Sequence, residues 1–186
     1  MSRFILGIAG APGAGKSTLA AQLADALDDA VLLPMDGFHL PQAELRRLGR
    51  RDRMGAPDTF DVDAFVATLR RVGNSGERLT APAFDREIEE PVPDAIVISP
   101  EFSTVVVEGN YLLHDAGGWE RVAPLLDVTF FVDVDHDIRV QRLIERHIRF
   151  GKTPDAAKAW ALGPDETNAR LVERGAARAD VRLRLG

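Results

Sequence analysis

The sequence predicts an α/β fold in which a mainly parallel sheet is flanked by helices. Three observations carry this expectation. Short, largely apolar runs recur at 4–9, 30–34, 104–107 and 128–134, the first of them continuous, the pattern of strands buried on both faces. Segments with apolar residues three and four apart alternate with them, as in a layered α/β domain. Each run leads into glycines or acids, and in open α/β sheets ligands bind outside the carboxyl ends of the strands.

The elements follow in order. The strand at 4–9 runs straight into Gly10. Over 17–27, Leu19, Leu23 and Leu27 share one helix face. The second strand, 30–34, ends at Met35-Asp36-Gly37. A short helix is expected over 42–48, and a polar loop broken by Gly55 and Pro57 over 50–58. The next helix, 62–72, has Phe65 and Leu69 four apart. Residues 73–76 turn and 78–84 are extended, while 87–94, acidic and holding Pro91 and Pro93, reads as a loop or edge segment. Strand 104–107 ends at Glu108-Gly109, and strand 128–134 is followed by acids. A long helix is expected over 137–150. Another starts at Thr153-Pro154, since proline suits the first helical turn. Gly163-Pro164 breaks it, a helix resumes over 165–179, and 181–185 is a last strand.

The 186 residues fit a single domain, 1–186, carrying at most a small lid. The chain has no cysteine, which excludes disulfides and thiolate metal sites. A net charge of −6 argues against a general nucleic-acid binder but leaves room for a local basic site on a small anion. No apolar run approaches the roughly 20 residues that span a bilayer. Arg3 and the apolar 4–9 faintly resemble a secretory signal, but the run is short and a glycine-rich loop follows it at once. The expectation is a cytoplasmic protein acting without nucleic acid or membrane; self-association as a homodimer stays open.

The most specific signal is Gly10-Ala11-Pro12-Gly13-Ala14-Gly15-Lys16-Ser17, a full match to G-x-x-x-x-G-K-S/T between a strand and an amphipathic helix. Its glycines let successive N–H groups point inward at phosphate oxygens. The helix behind them, with Thr18 in its first turn, adds its positive end. Lys16 is suited to the β and γ phosphates of ATP, and the Ser17 hydroxyl to Mg²⁺. The alternative is a glycine-rich turn holding no nucleotide. With the motif in place, the expected architecture is the P-loop NTPase three-layer fold with a small helical lid.

The acids at the strand ends then gain meaning. Asp36 can take the proton of a substrate hydroxyl as it attacks the γ-phosphate; the plainer reading is a turn-forming Asp-Gly pair. Glu108, after Val105-Val106-Val107, fits a Walker B acid that holds Mg²⁺ or orients Asp36 or substrate. Phe130-Phe131-Val132-Asp133 competes for that role, but Asp133, Asp135 and Asp137 stand where aspartates cap a helix. Arg139, Arg142, Arg146 and Arg149 lie on one helix face before a Gly151-Lys152 hinge. They suit a lid over the transferring phosphoryl group, roughly 146–163. The competing reading is a solvated face on which Glu145 pairs with Arg149. A second basic cluster, Arg46 to Arg53, is either a substrate loop or an exposed helix end.

Together these pieces resemble the P-loop kinases that include uridine kinase, pantothenate kinase and phosphoribulokinase. The matching stretches are the P-loop, Met35-Asp36-Gly37-Phe38-His39, Arg53-Met54-Gly55-Ala56-Pro57-Asp58-Thr59-Phe60-Asp61, Pro82-Ala83-Phe84-Asp85, Val107-Glu108-Gly109-Asn110-Tyr111 and the arginine-rich helix. The Asp36 and Arg53 stretches look most like pantothenate kinase. The resemblance implies Asp36 as catalytic base, with Lys16 and the lid arginine Arg146 completing the catalytic set and Arg142 contacting ATP. It implies an acceptor pocket lined by His39, Arg53, Phe84, Glu108 and Asn110. One departure stands out: Arg86-Glu87-Ile88 follows Phe84-Asp85, where uridine and pantothenate kinases tend to carry a histidine. The chain is also shorter than pantothenate kinases, so it looks like a small bacterial branch labelled nucleoside/nucleotide kinase-like, or a sugar kinase linked to fructose transport.

The activity expected is transfer of the γ-phosphate of Mg-ATP to a hydroxyl of a small molecule: a nucleoside, a sugar or a pantothenate-like alcohol. A GTPase-like switch fits less well. Asp115-Ala116-Gly117-Gly118 does not directly end a strand, and no N-K-x-D stretch reads guanine. The intact set of Lys16, Ser17, Asp36 and Glu108 argues against a regulatory ATP-binding module without an acceptor.

Overall fold

A computed structural model describes residues 2–185. Five parallel strands form the main sheet: β1 (Phe4–Gly10), β2 (Ala30–Pro34), β5 (Thr104–Gly109), β6 (Val128–Val134) and β7 (Val181–Leu185), ordered β2-β5-β1-β6-β7. Side chains alternate across it, as the pleat requires. Ile8, Val106 and Val132 face α1 (Lys16–Ala26), packing with Leu19 and Leu23. Ala9, Val105, Val107 and Phe131 face the opposite layer, where Phe65, Leu69 and Val72 of α3 (Val62–Asn74) close the larger core. The expected three-layer α/β architecture is the one observed.

Register aligns the chemistry. Ile8 of β1 and Pro34 of β2 both sit level with Glu108 of β5. The phosphate loop after β1, Asp36 after β2 and Glu108 therefore emerge at one edge of the sheet.

Two elements refine the sequence expectation. Residues 87–94, expected as a loop or edge segment, divide between the two: residues 86–89 are the turn of an antiparallel hairpin apart from the main sheet, and 90–94 open its second strand, β3 (Leu79–Asp85) pairing with β4 (Glu90–Ile98). Each strand keeps one unpaired edge, so Pro91 and Pro93 deprive no neighbouring strand of a donor. The last helix is also shorter than 165–179: it ends at Glu173 and a 3-10 turn follows. The rest of the order stands: a short α2 (Gln42–Arg47), then α4 (His136–Arg149), α5 (Pro154–Leu162) capped by Thr153, and α6 (Pro164–Glu173). Among the described residues no helix is long and apolar enough to cross a membrane.

Arg3, read from sequence beside a signal-like run, is instead a buried clasp. Its guanidinium donates to the carbonyls of Phe102, Ser75, Glu77 and Ser99, tying the start of β1 to both ends of the hairpin segment. Lysine cannot reproduce a planar fork over several acceptors. Arg3→Lys is expected to cost about 1.5–3 kcal/mol in urea unfolding, the scale of lost hydrogen bonds to a charged group. An unchanged midpoint would remove the clasp.

Candidate active site

The loop between β1 and α1 is shaped by its glycines. Gly13 and Gly15 take φ of +81° and +92°, a region that disfavours side chains. A Cβ on Gly13 would also lie 2.7 Å from the carbonyl oxygen of Arg139. Gly15 caps α1 without a side-chain bond, and no acid stands in the first turn, so the helix presents its N–H groups and positive end freely. Gly10, Ala11, Pro12, Gly13, Ala14 and Gly15 thus form a cradle of a shape that suits phosphate, with Thr18 exposed on the turn behind it.

Lys16 is buried in this cradle, and burial pulls its pKa down while Glu108 and Asp36 oppose that fall. Burial pushes Glu108 upward; Lys16 and a hydrogen bond from Ser17 pull it back. Asp36 behaves differently. Burial works against its charge, but Arg86, then His39, Lys16 and Arg146, overcome it and hold the carboxyl at about 2. The Arg86 Nη2 stands 2.5 Å from Asp36 Oδ2. Because that pKa is depressed, the stability contributed by ionised Asp36 is present above pH about 4. It is lost as pH falls through about 2. The stability gap between wild type and Arg86→Gln, read by urea unfolding, is therefore expected to shrink from pH 4 to pH 2; a constant gap would refute the pairing.

One cleft of about 120 Å³ collects Lys16, Ser17, Asp36, His39, Phe84 and Asn110, with Arg146 on its far wall. His39 is sandwiched between Phe60 and Phe84, with centroids 4.0 and 4.6 Å away. Its Nδ1 lies 2.8 Å from the Asp36 carbonyl oxygen, which makes that nitrogen the donor, and burial lowers its pKa. The neutral ring is left with Nε2 as an acceptor. The Asn110 Oδ1 is buried without a hydrogen-bond partner.

The expected arginines separate. Arg146 lines the cleft, and burial, followed by Arg86, lowers its pKa while Asp165 and Asp36 oppose. Arg142 lies beside the loop, its Nη1 3.5 Å from where a Cβ on Gly15 would stand. Arg139 is not available to phosphate: it is buried, paired with Glu166, and donates to the Pro12 carbonyl at 3.4 Å. Glu145 accepts from Gln141 rather than pairing with Arg149. Arg53, expected in the acceptor pocket, is not brought to the cleft. It forks Asp58, with Nη2 to Oδ2 at 2.7 Å, and lines a neighbouring cavity, while Arg51 takes the cleft position. Asp133 is also elsewhere, paired with Arg182, and Asp135 caps α4. Glu108 is left as the acid beside the phosphate loop.

The segment expected as a lid, roughly 146–163, reaches the cleft through side-chain contacts that its spacing did not announce, and Asp165 joins them. His147 hydrogen-bonds Asp165 at 2.7 Å, joining α4 to α6, and Lys152 stacks 4.8 Å above Trp160. All four line the cleft. Arg86 was visible only as a departure from a family pattern; nothing in its spacing announced a contact with a residue 50 positions earlier.

The sequence model of the phosphoribulokinase / uridine kinase family matches residues 5–183. The chain belongs to that family. It is similar to a Schizosaccharomyces pombe protein provisionally named a uridine kinase, 34% identical over 97% of this chain and 83% of that one. A pantothenate kinase of Leifsonia xyli is 35% identical over 70% of this chain, which spans 43% of that longer enzyme. A crystal structure from Silicibacter sp. TM1040, provisionally named a fructose transport system kinase, is 38% identical, with a TM-score of 0.91 over 98% of this chain and 90% of that one. This family member is a small-molecule kinase with the P-loop fold.

Proposed function

We propose that the protein transfers the γ-phosphoryl group of Mg-ATP to a hydroxyl of a small molecule, with Asp36 as the base. The observation that carries this reading is the convergence of Asp36, Lys16 and Ser17 on one cleft at the carboxyl edge of the sheet, with Glu108 buried against Lys16 and Ser17. The cradle fits a nucleotide's phosphates: two left-handed glycines, an uncapped helix start and a buried lysine. Ser17 and Glu108 supply hard oxygen donors suited to Mg²⁺, an ion that keeps several waters and phosphate oxygens among its ligands. Bound there, Mg²⁺ would neutralise charge on the phosphates.

The chain's own groups divide the remaining work. Lys16 and Arg146 hold the charge on the transferring group from two sides, and Arg142 contacts the nucleotide. Asp36 accepts the proton of the attacking hydroxyl; the acceptor oxygen bonds to the γ-phosphorus as the bond to the β–γ bridging oxygen breaks, releasing ADP. His39 Nε2 and Asn110 Oδ1 accept from other hydroxyls of the acceptor, and Phe84 gives it an apolar wall. The turn around Gly151 and α5 act as the lid, bringing Lys152 over the cleft. A cytoplasmic location, where ATP is supplied, and action without nucleic acid or membrane belong to the same proposal.

The test is ADP release with Mg²⁺ against a panel of nucleosides, sugars, pantothenate and sugar phosphates. ADP formed in step with a phosphorylated acceptor is expected. Slow ADP release that no acceptor accelerates would favour an ATP-binding module instead.

A further inference from the structure

We infer that Arg86 selects an acceptor carrying an anionic group, a carboxylate or a phosphate monoester, and that it leaves Asp36 for that group when the acceptor binds. This rests on the kinase reading above and names the substrate class of the same site.

Arg86 sits in the turn of the β3–β4 hairpin, held in place by Asp85, whose Oδ1 accepts from the Glu87 N–H at 2.8 Å. Its guanidinium extends past the Phe84 ring, 5.9 Å from the centroid, to Asp36. Among the described residues its only hydrogen bond is the single one to Asp36 Oδ2. A guanidinium carries five N–H donors in a rigid fork matched to carboxylate and phosphate. Most of that capacity is therefore unused; the side chain is 41% exposed and lines the cleft.

The contact also occupies one of the two carboxylate oxygens of Asp36 and lays a positive charge against the base. A carboxylate held in an ion pair accepts a proton poorly. A neutral acceptor reaching Asp36 must pull it from Arg86 and leave a cation facing Lys16 and Arg146, both of which Arg86 already repels. An anionic acceptor replaces Asp36 as the counter-charge. Arg86 then stays paired, and Asp36 is released as a stronger base beside the hydroxyl. Neighbouring Arg51 pairs with Glu89, so releasing it would not free the base; Arg86 is the arginine whose partner is Asp36.

The experiment uses acceptor pairs that differ in charge: pantothenate with pantothenol, gluconate with glucose, and fructose 6-phosphate with fructose. Binding is measured by calorimetry with Mg²⁺ and a non-hydrolysable ATP analogue, and turnover by ADP release, for wild type, Arg86→Gln and Arg86→Lys. Expected is a roughly ten- to hundredfold preference for the anionic member of at least one pair, in Kd and in KM. Arg86→Gln should reduce it to within about threefold, and Arg86→Lys should restore part of it. The first two pairs report a carboxylate and the third a phosphate ester. Equal affinity within every pair, or an Arg86→Gln loss that falls alike on both members, overturns the inference while leaving a working kinase intact. If no acceptor accelerates ADP release, the kinase reading fails and the inference fails with it.

Discussion

Asp36→Asn is expected to lower kcat by about 10²–10⁴-fold, the range of a positioned general base. Asparagine keeps the shape of the side chain and removes its ability to take a proton. It also removes the counter-charge that Arg86, Lys16 and Arg146 share. That second effect separates the roles in a measurement. If Asp36 acts as the base, kcat falls while the Kd for Mg-ADP, measured by calorimetry, stays within about threefold, because the phosphate cradle is untouched. If Asp36 serves only to hold the cations in place, the loss appears in nucleotide affinity and in the urea midpoint, and kcat with saturating substrates recovers. The depressed carboxyl means the base is ionised throughout the neutral range, so no acid limb belonging to Asp36 should appear in kcat/KM above pH about 4.

The phosphate loop, Asp36 and Glu108 were legible because each is a local pattern: a glycine-lysine motif, or a hydrophobic run ending in an acid. Their convergence was legible too, since parallel strands bring their carboxyl ends to one edge. The hairpin was harder to read. Pro91 and Pro93 argue against a strand in a main sheet, and only the isolation of β3 and β4 makes them harmless. Arg53 was expected at the acceptor; Arg51, with the same chemistry two positions away, lines the cleft, because the 3-10 turn over Arg51–Arg53 sets which of the two faces it. Arg86 and the His147–Asp165 link depend on side chains meeting across long sequence separations, which no spacing rule encodes.

Gly37→Ala is expected to destabilise the protein by about 4 kcal/mol, at the upper end for an overpacked site. From sequence alone the Asp36-Gly37 pair reads as a turn, but Gly37 is not among the glycines with positive φ. Its role is close approach. A Cβ there would meet the Pro82 carbonyl oxygen and stand 2.7 Å from its carbon, and 3.2 Å from the Cα of Ala83. These are backbone atoms of β3, so no rotamer relieves the clash; the hairpin itself must move. Phe84 and Arg86 ride on that hairpin just beyond the contact. The same methyl group should therefore damage acceptor recognition more than nucleotide binding, raising the acceptor KM by about tenfold or more if β3 shifts by even 1 Å. Gly73→Ala makes the matched comparison. That glycine lies in α3, and its added methyl would meet only Ile5 Cδ1 at 3.5 Å, so the change should be neutral or stabilising by up to about 1 kcal/mol. If Gly37→Ala unfolds at the same urea concentration as wild type with its acceptor KM unchanged, the hairpin does not seat on Gly37, and the positions of Phe84 and Arg86 over Asp36 lose their support.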